Sequence, residues 1–351
     1  MPRKRGKNRL TQRQQARIQA IQQRRLTRKQ TRQKEQAETL AQGEMGEQQQ
    51  GLVISHYGLN VEVQADNGAS YRCAVRETLR ENPVCGDGVL WHRVGEDQGV
   101  IVAMQPRGSI LKRPGAYGRI QTIAVNVDRI MVVTTALDPK PGLLDRYLVA
   151  ASAAGIEAVI VINKMDLAPD EEDLELLAEI LSPYQKMDYP IVMASAASAH
   201  GLNDLEMALS DHTSVFVGLS GVGKSSLIDH FIPHETLKTA PVHEATGQGR
   251  HTTTVSRLYG LPNGGRIIDS PGVRAFALWG LEGREVARHF RDIAPYLGRC
   301  RFSDCTHRHE PGCAVLEALS AGEIDPYRVE SMYRITDSIP ETVGSAPAKY
   351  L

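Results

Sequence analysis

The sequence predicts a multidomain α/β protein: a small N-terminal β-barrel, a parallel sheet with helices on both faces, and a helical C-terminal segment that carries Cys and His. Three observations lead there. Five short runs of alternating apolar and polar residues crowd into residues 51–105. From residue 128 onward, near-continuous apolar runs ending in polar residues alternate with helical stretches, the pattern of buried parallel strands. Three of the five cysteines then cluster between Cys300 and Cys313. A length of 351 residues accommodates two to three domains, and 41% hydrophobic residues is ordinary for a soluble globular chain. No uncharged apolar run approaches the ~18 residues of a membrane span, and no apolar core follows the N-terminal charges, so neither a membrane span nor a secretory signal is expected.

The formal net charge of zero hides a split. Residues 1–34 hold 13 Lys and Arg and no Asp or Glu, leaving 28 basic against 41 acidic residues in the rest of the chain. The large apolar residues of this segment are Leu10, Ile18, Ile21 and Leu26, too few to bury a core. Such segregation reads as an arm that binds nucleic-acid phosphates, the alternative being a solvated tail without a partner. Residues 35–50 are a polar Gln/Glu/Gly linker, so 1–50 form one segment.

The next segment, 51–110, contains GLVISHYG, LNVEVQAD, ASYRCAVRE, DGVLWHRV and GVIVAMQ, separated by turn signals such as Asp66-Asn67-Gly68 and Gly86-Asp87-Gly88. Five short strands in this space suggest an OB-like β-barrel, either RNA-binding or purely structural. Tyr57, Tyr71 and Trp91 are positioned to stack on bases or to fill the core, and Cys73 and Cys85 read as barrel core.

Segment 111–277 carries the chemistry. Gly218, Leu219, Ser220, Gly221, Val222, Gly223, Lys224 and Ser225 fit the phosphate-loop pattern GxxxxGK[ST], between the apolar strand SVFV and the helix-like SSLIDHF that includes Ser226. Glycines let the backbone wrap phosphate oxygens, Lys224 is placed to meet the β- and γ-phosphates, and the Ser225 hydroxyl to meet Mg²⁺. Asn163, Lys164, Met165 and Asp166 follow the strand AVIVI and fit NKxD. There the Asp166 carboxylate can accept from the paired N–H donors on the guanine edge, Asn163 can tie this loop to the phosphate loop, and the Lys164 stem can lie along the base. Ser195 and Ala196 end another strand, as in the SA motif that contacts the guanine oxygen. Asp269-Ser270-Pro271-Gly272 fits DxxG, Asp269 holding Mg²⁺ through water and the Gly272 amide sensing the γ-phosphate. In the polar loop Gly249-Arg250-His251-Thr252-Thr253-Thr254, Thr253, or else Thr252, is expected to close over Mg²⁺. Together these motifs describe a GTPase.

Their order is unusual. NKxD and SA precede the phosphate loop, which precedes the Thr loop and DxxG. The usual sheet can still form if the termini lie between its third and fourth strands, so the domain is a circularly permuted P-loop GTPase. DxxG then leads through residues 273–281 directly into the last segment. The residue after DxxG is Val273, which cannot orient a water as the Gln of Ras-type sites does. His251 is the nearest alternative, with an RNA or solvent contact as its other reading.

Segment 278–351 is helical. Within it Cys300, Cys305, His307 and Cys313 offer three thiolates and an imidazole, His309 being a substitute ligand. This soft donor set favours one closed, structural Zn²⁺ in a reducing compartment, the alternative being reduced cysteines and a surface His.

The basic arm, barrel, permuted GTPase and CxxxxCxH…C segment together resemble the RsgA (YjeQ) family, through GLSGVGKSS, NKMD, GQGRHTTT and DSPG. The resemblance implies a cytoplasmic monomer that acts in late maturation of the 30S ribosomal subunit. It implies contact with 16S rRNA, and conversion of GTP to GDP and phosphate stimulated by the subunit. Cys300, Cys305, His307 and Cys313 would be the zinc ligands and His251 the catalytic histidine. Gly249-Arg250-His251 departs from the GQH often found there, placing a cation beside the histidine. A GTP-gated RNA-binding scaffold, in which hydrolysis is incidental, is the alternative reading.

Overall fold

The structure is a computed structural model and describes residues 46–57, 60–79, 81–114, 120–167, 170–232, 256–270, 278 and 281–339. The basic arm, Gly249–Thr254 and Gly272 lie outside the described residues. The chain divides into two compact units. One contains the barrel strands; the other comprises 84–87 and everything from Pro106 onward.

In the first unit β1 (Gln48–Tyr57), β2 (Asn60–Ala65), β3 (Ser70–Val75), β4 (Gly88–Arg93) and β5 (Gln98–Met104) pair in the order β1-β2-β3-β5-β4. β4 returns antiparallel to β1 and closes an OB-type barrel. β1 begins inside the expected linker because Gln48 and Gln49 pair with His92 and Trp91. Alternation turns Val53, Val61, Val63, Tyr71, Cys73, Val89, Trp91 and Ile101 inward. Trp91 lies against the bare faces of Gly51 and Gly99, where an added Cβ would come within 2.8 Å and 2.5 Å of its ring. Its indole N–H donates to Gln50 O at 3.1 Å. Tyr71 and Trp91 are therefore core residues that pack on each other at 4.7 Å, not a platform for bases. Burial pushes the Cys73 thiol up to about 12, so it is an inert filler. Cys85 does not belong to the barrel: it groups with the second unit, where its thiol donates to Ser256 O at 3.1 Å.

The second unit opens with a hairpin, β6 (Ile110–Pro114) and β7 (Ile120–Val125), which the sequence patterning does not announce. A six-stranded sheet follows: β8 (Arg129–Thr135), β9 (Glu157–Asn163), β10 (Ile191–Met193), β11 (Thr213–Val217), β12 (Arg257–Gly260) and β13 (Arg266–Asp269). Its spatial order is β10-β9-β8-β11-β13-β12, all parallel except the β12–β13 hairpin. The helices are α1 (Pro141–Ala153), α2 (Glu171–Lys186), α3 (Leu202–Leu209) and α4 (Lys224–Phe231). On one face Met131, Val133, Val159 and Val161 pack with Leu205, Leu209, Leu227 and Ile228 of α3 and α4. α1 packs on β8 and β9 and adds buried Leu144 and Leu148.

The C-terminal part has two short 3₁₀ segments (Gly283–His289 and Ala294–Tyr296) and helices α5 (Ala314–Ser320) and α6 (Pro326–Ser338). Its core, built on Val286, Phe290, Ile293, Val315, Val329, Met332 and Ile335, also takes in Val149 of α1. Arg328 of α6 is buried: it pairs with Asp145 of α1, and its Nε donates to Asp292 Oδ2 at 2.8 Å. The guanidinium also lies over the Phe290 ring at 4.6 Å. The segments 111–277 and 278–351 thus share one interior.

Candidate nucleotide and metal sites

Four strand ends of the sheet supply the nucleotide-site residues. β11 is buried along its whole length and delivers Gly218 at the start of the phosphate loop. Gly218 has φ 138°, and a Cβ there would meet Val133 O at 2.2 Å, so only glycine lets the loop leave the sheet here. Leu219, Ser220 and Gly221 are exposed, and Val222 is buried. Gly223, at φ 92°, caps α4. Lys224 is 7% exposed; its ammonium donates to Gly218 O at 2.9 Å and also to Leu219 O. A buried ammonium encircled by carbonyls is poised to exchange them for phosphate oxygens. Ser225 and Ser226 open α4 beside it.

β9 ends in the NKxD residues. Asn163 is buried, and its Nδ2 donates to Val222 O at 2.8 Å, while its Oδ1 accepts from the Ala196 amide at 3.4 Å. One side chain therefore ties together the base-reading loop, the phosphate loop and the SA loop, as the sequence suggests. Gly223 must be glycine for the same reason: a Cβ would sit 2.2 Å from Asn163 Nδ2. Lys164 takes φ 62°, which turns the chain into a short 3₁₀ segment, Met165–Leu167. The Met165 amide donates to Ala194 O at 3.2 Å. Fully buried Ser195 donates its hydroxyl to the Asp166 carboxylate, and its oxygen accepts from the Ala197 and Ser198 amides, each at 3.2 Å. The Asp166 carboxylate is thereby held in one orientation.

β13 ends in Asp269, and Ser270 beyond it shares a hydrogen bond with Ser256 at 2.6 Å, just before β12. The roots of the Thr loop and of DxxG are thus joined. Thr253, His251 and Gly272 themselves lie outside the described residues.

In the C-terminal part Cys300, Cys305, His307 and Cys313 bring one ligand atom each to within 4.8 Å of one another, an arrangement that could hold a metal ion. His307 Nδ1 lies 3.5 Å from both Cys300 Sγ and Cys313 Sγ. His307 sits at φ 61°, and its carbonyl accepts from the Tyr333 hydroxyl. Burial lowers its imidazole pKa, favouring the neutral ligating form. Glu310 braces the loop by accepting from the Thr306 hydroxyl and from the amides of Thr306 and Arg308; the Thr306 hydroxyl and then its amide are the main causes that hold the carboxyl well below the usual range. His309 is not part of the cluster.

Sequence reasoning overlooked a third set of residues. Asp145, Arg146 and Tyr147 stand in succession on α1. Asp145 is fully buried against Arg328 and accepts from the Tyr184 hydroxyl at 2.8 Å. Arg146 donates to the Ser338 hydroxyl at 3.0 Å, and Tyr147 is buried. A charged pair in an otherwise apolar helix, LLDRYLVAA, is the signal that was available.

The RsgA GTPase family profile matches residues 104–279. A small ribosomal subunit biogenesis GTPase RsgA of Azotobacter vinelandii is 44% identical over 340 residues, covering 96% of this chain and 99% of that one. The chain belongs to the RsgA GTPase family. The RsgA of Pseudomonas aeruginosa is 43% identical over 338 residues, with 96% and 99% covered. Among solved structures, YjeQ from Thermotoga maritima superposes with a TM-score of 0.70 at 32% identity, over 83% of this chain and 98% of that one. YloQ, described as a circularly permuted GTPase, gives 0.67 at 28% identity, over 84% and 97%. As an RsgA-family member the chain is a GTPase, and its central fold is the permuted one. The strand order agrees: β8, β9 and β10, first in the chain, form one side of the sheet, and β11, β12 and β13 the other. Among the described residues no helix is long and apolar enough to cross a membrane.

Proposed function

We propose that this chain hydrolyses GTP during late maturation of the 30S ribosomal subunit, docked on 16S rRNA, in the cytoplasm and as a monomer. The observation that carries the reading is Asp166, held by Ser195 and joined to the phosphate loop by Asn163. Supporting it are the names of the relatives, which describe small-subunit biogenesis, and the basic arm of residues 1–34.

The roles follow from placement. The phosphate-loop amides and Lys224 hold the β- and γ-phosphates. Ser225, Thr253 and, through water, Asp269 would hold Mg²⁺, which neutralises charge on the transferring phosphoryl group. Asp166 reads guanine, the Ala196 amide its oxygen, and the Lys164 stem its face. Val273 has no hydrogen-bonding side chain, so His251 orients the attacking water once rRNA has positioned its loop. Hydrolysis by the chain alone is slow and rises with 30S subunits. His251→Ala removes the stimulation, leaving about the unstimulated rate, while affinity for GTP and co-sedimentation with the subunit persist. Full stimulation in this variant would eliminate His251, and loss of co-sedimentation would make it an RNA contact. Unstimulated turnover in the wild type would favour a GTP-gated scaffold.

The C-terminal cluster is assigned to one structural Zn²⁺. Thiolates arranged tetrahedrally at the ~2.3 Å of a zinc–sulfur bond stand about 3.8 Å apart, and Cys300 Sγ and Cys313 Sγ stand 4.0 Å apart. Four protein donors leave no position for a reactive water, so the metal supplies folding energy rather than catalysis. Metal analysis should return one zinc per chain. Cys305→Ser should lose it and unfold the loop around residues 300–313, with guanine-nucleotide affinity changing no more than a few-fold. Undiminished zinc in a Cys300→Ser/Cys305→Ser variant would refute the ligand set.

A further inference from the structure

Between β3 and β4 the chain leaves the barrel for four residues. The strands on either side belong to the first unit, while residues 84–87 belong to the second. This connector is anchored at every position. The Val84 amide donates to Asp87 Oδ2 at 2.7 Å, and the Asp87 amide donates back to Val84 O at 3.1 Å. Cys85 O accepts from the Val125 amide at 3.2 Å, and Gly86 O accepts from Asn126 Nδ2 at 2.8 Å. Asp87 is fully buried and accepts two bonds from the Arg107 guanidinium, at 2.7 Å and 2.8 Å.

From this frame the connector reaches the strand pair that carries Asp269. Cys85, 1% exposed, donates its thiol to Ser256 O at 3.1 Å. A Cβ on Gly86 would lie 3.5 Å from Ile268 Cδ1, so the connector backbone also runs against β13, one residue before Asp269. Ser256 shares its hydroxyl with Ser270 at 2.6 Å, and Ser270 directly follows Asp269. β13 in turn pairs in parallel with β11, Ile268 beside Val215, which sets Asp269 at the same sheet end as the phosphate loop and Ser225. That placement suits a carboxylate that holds Mg²⁺ through water. We infer that the connector 84–87 is a positioning element for Asp269, acting through Cys85 and the Ser256–Ser270 bond. This rests on the reading of Asp269 as a magnesium residue. Mg²⁺ demands near-ideal octahedral geometry, so a carboxylate free to drift serves it poorly. Because β3 and β4 continue from the two ends of the connector, the barrel is covalently attached to the element that sets Asp269.

The test uses the full chain and a non-hydrolysable GTP analogue, bound in Mg²⁺ and in EDTA; the ratio of the two dissociation constants is the gain due to the metal. Cys85→Ala should cut that gain about two- to fivefold, the lower end for one hydrogen bond because a thiol is a weak donor. Cys85→Ser keeps a donor and should restore most of the gain. Affinity for GDP in EDTA should stay at the wild-type value in both variants. Ser256→Ala removes the second bond of the chain and should also cut the gain. Combined with Cys85→Ala it should do no further harm, since two links in series do not add. An unchanged gain in Cys85→Ala overturns the inference, as does a double variant in which the two losses add. Weakening of GDP in EDTA by the same factor also overturns it, because the residue would then act on the fold and not on Asp269. Asp269→Asn separates the two readings. If it keeps the full wild-type gain, the magnesium role of Asp269 falls and takes this inference with it.

Discussion

Asp166→Asn should exchange guanine for xanthine nucleotides. In the proposed role the carboxylate accepts from two adjacent N–H donors of guanine, and the Ser195 hydroxyl holds it by a hydrogen bond. An amide offers one acceptor and one donor group, so one of the two guanine contacts becomes a clash of donors. Hydrogen bonds to a charged group contribute about 1.5–3 kcal/mol each. Turning one of these bonds into a clash and leaving the other without its charge should therefore weaken GTP by roughly 10²- to 10⁴-fold. Xanthine carries a carbonyl where guanine has its amino group, and that oxygen suits the new amide N–H₂. Competition binding of GTP, XTP and ATP by both proteins checks the exchange. Equal binding of ATP and GTP by the wild type would sink the role of Asp166 altogether. Ser195→Ala should weaken GTP less, since it loosens the carboxylate without removing it.

Arg328→Ala is expected to be the most destabilising single change in the second unit. Its guanidinium is 2% exposed, pairs with the fully buried Asp145 and with Asp292, and stacks between Phe290 and Tyr184. Truncation leaves the Asp145 carboxylate buried with no cation beside it, and removes packing from both aromatic rings. Breaking a buried pair in this way costs about 3–5 kcal/mol. For a body of this size the melting temperature should fall by roughly 10 °C. Removing both charges with Arg328→Met and Asp145→Leu should recover much of the loss, because the penalty lies in the orphaned charge more than in the absent attraction. Thermal unfolding of the single and double variants decides this; a fall below about 1 kcal/mol for Arg328→Ala would mean that water reaches Asp145.

The parts of this molecule legible in the sequence are those where local chemistry and local structure coincide. The five barrel strands have two-residue alternation and turn residues between them, and each forms close to where it is read. GLSGVGKS and NKMD sit at the ends of apolar strands, and the backbone must bend there whatever the surroundings. The Cys/His cluster spans 14 residues, and its ligands converge through loop geometry alone. What was missed depends on distant pairing. Arg328 meets Asp145 across 183 residues of sequence; the apolar surroundings of Asp145 in LLDRYLVAA hint at burial, but nothing local names its partner. Cys85 lies among barrel strands in the chain yet packs with Ser256, 171 residues away. Trp91 was open to two readings because an aromatic at an alternating position looks the same whether it faces base or core. Only the two bare glycines opposite it, Gly51 and Gly99, decide for the core.

The strand order also sets a timetable for synthesis. The ribosome delivers β8, β9 and β10 first, and these three are neighbours, with α1 and α2 to cover them. A half-sheet that already contains NKMD can therefore assemble while the rest is still being made. The outer side of β8 waits for β11 as an open edge, the kind of edge that invites pairing with another chain. The phosphate loop comes next and DxxG last, near residue 269. At 5–20 residues per second, the ~140 residues from β8 to β13 take on the order of 10 s to emerge. Between NKMD and the phosphate loop the nascent chain would hold the residues proposed to read guanine and lack those proposed to grip phosphate. On that reading, the stabilisation that bound nucleotide brings reaches only molecules that have already made the phosphate loop after β11.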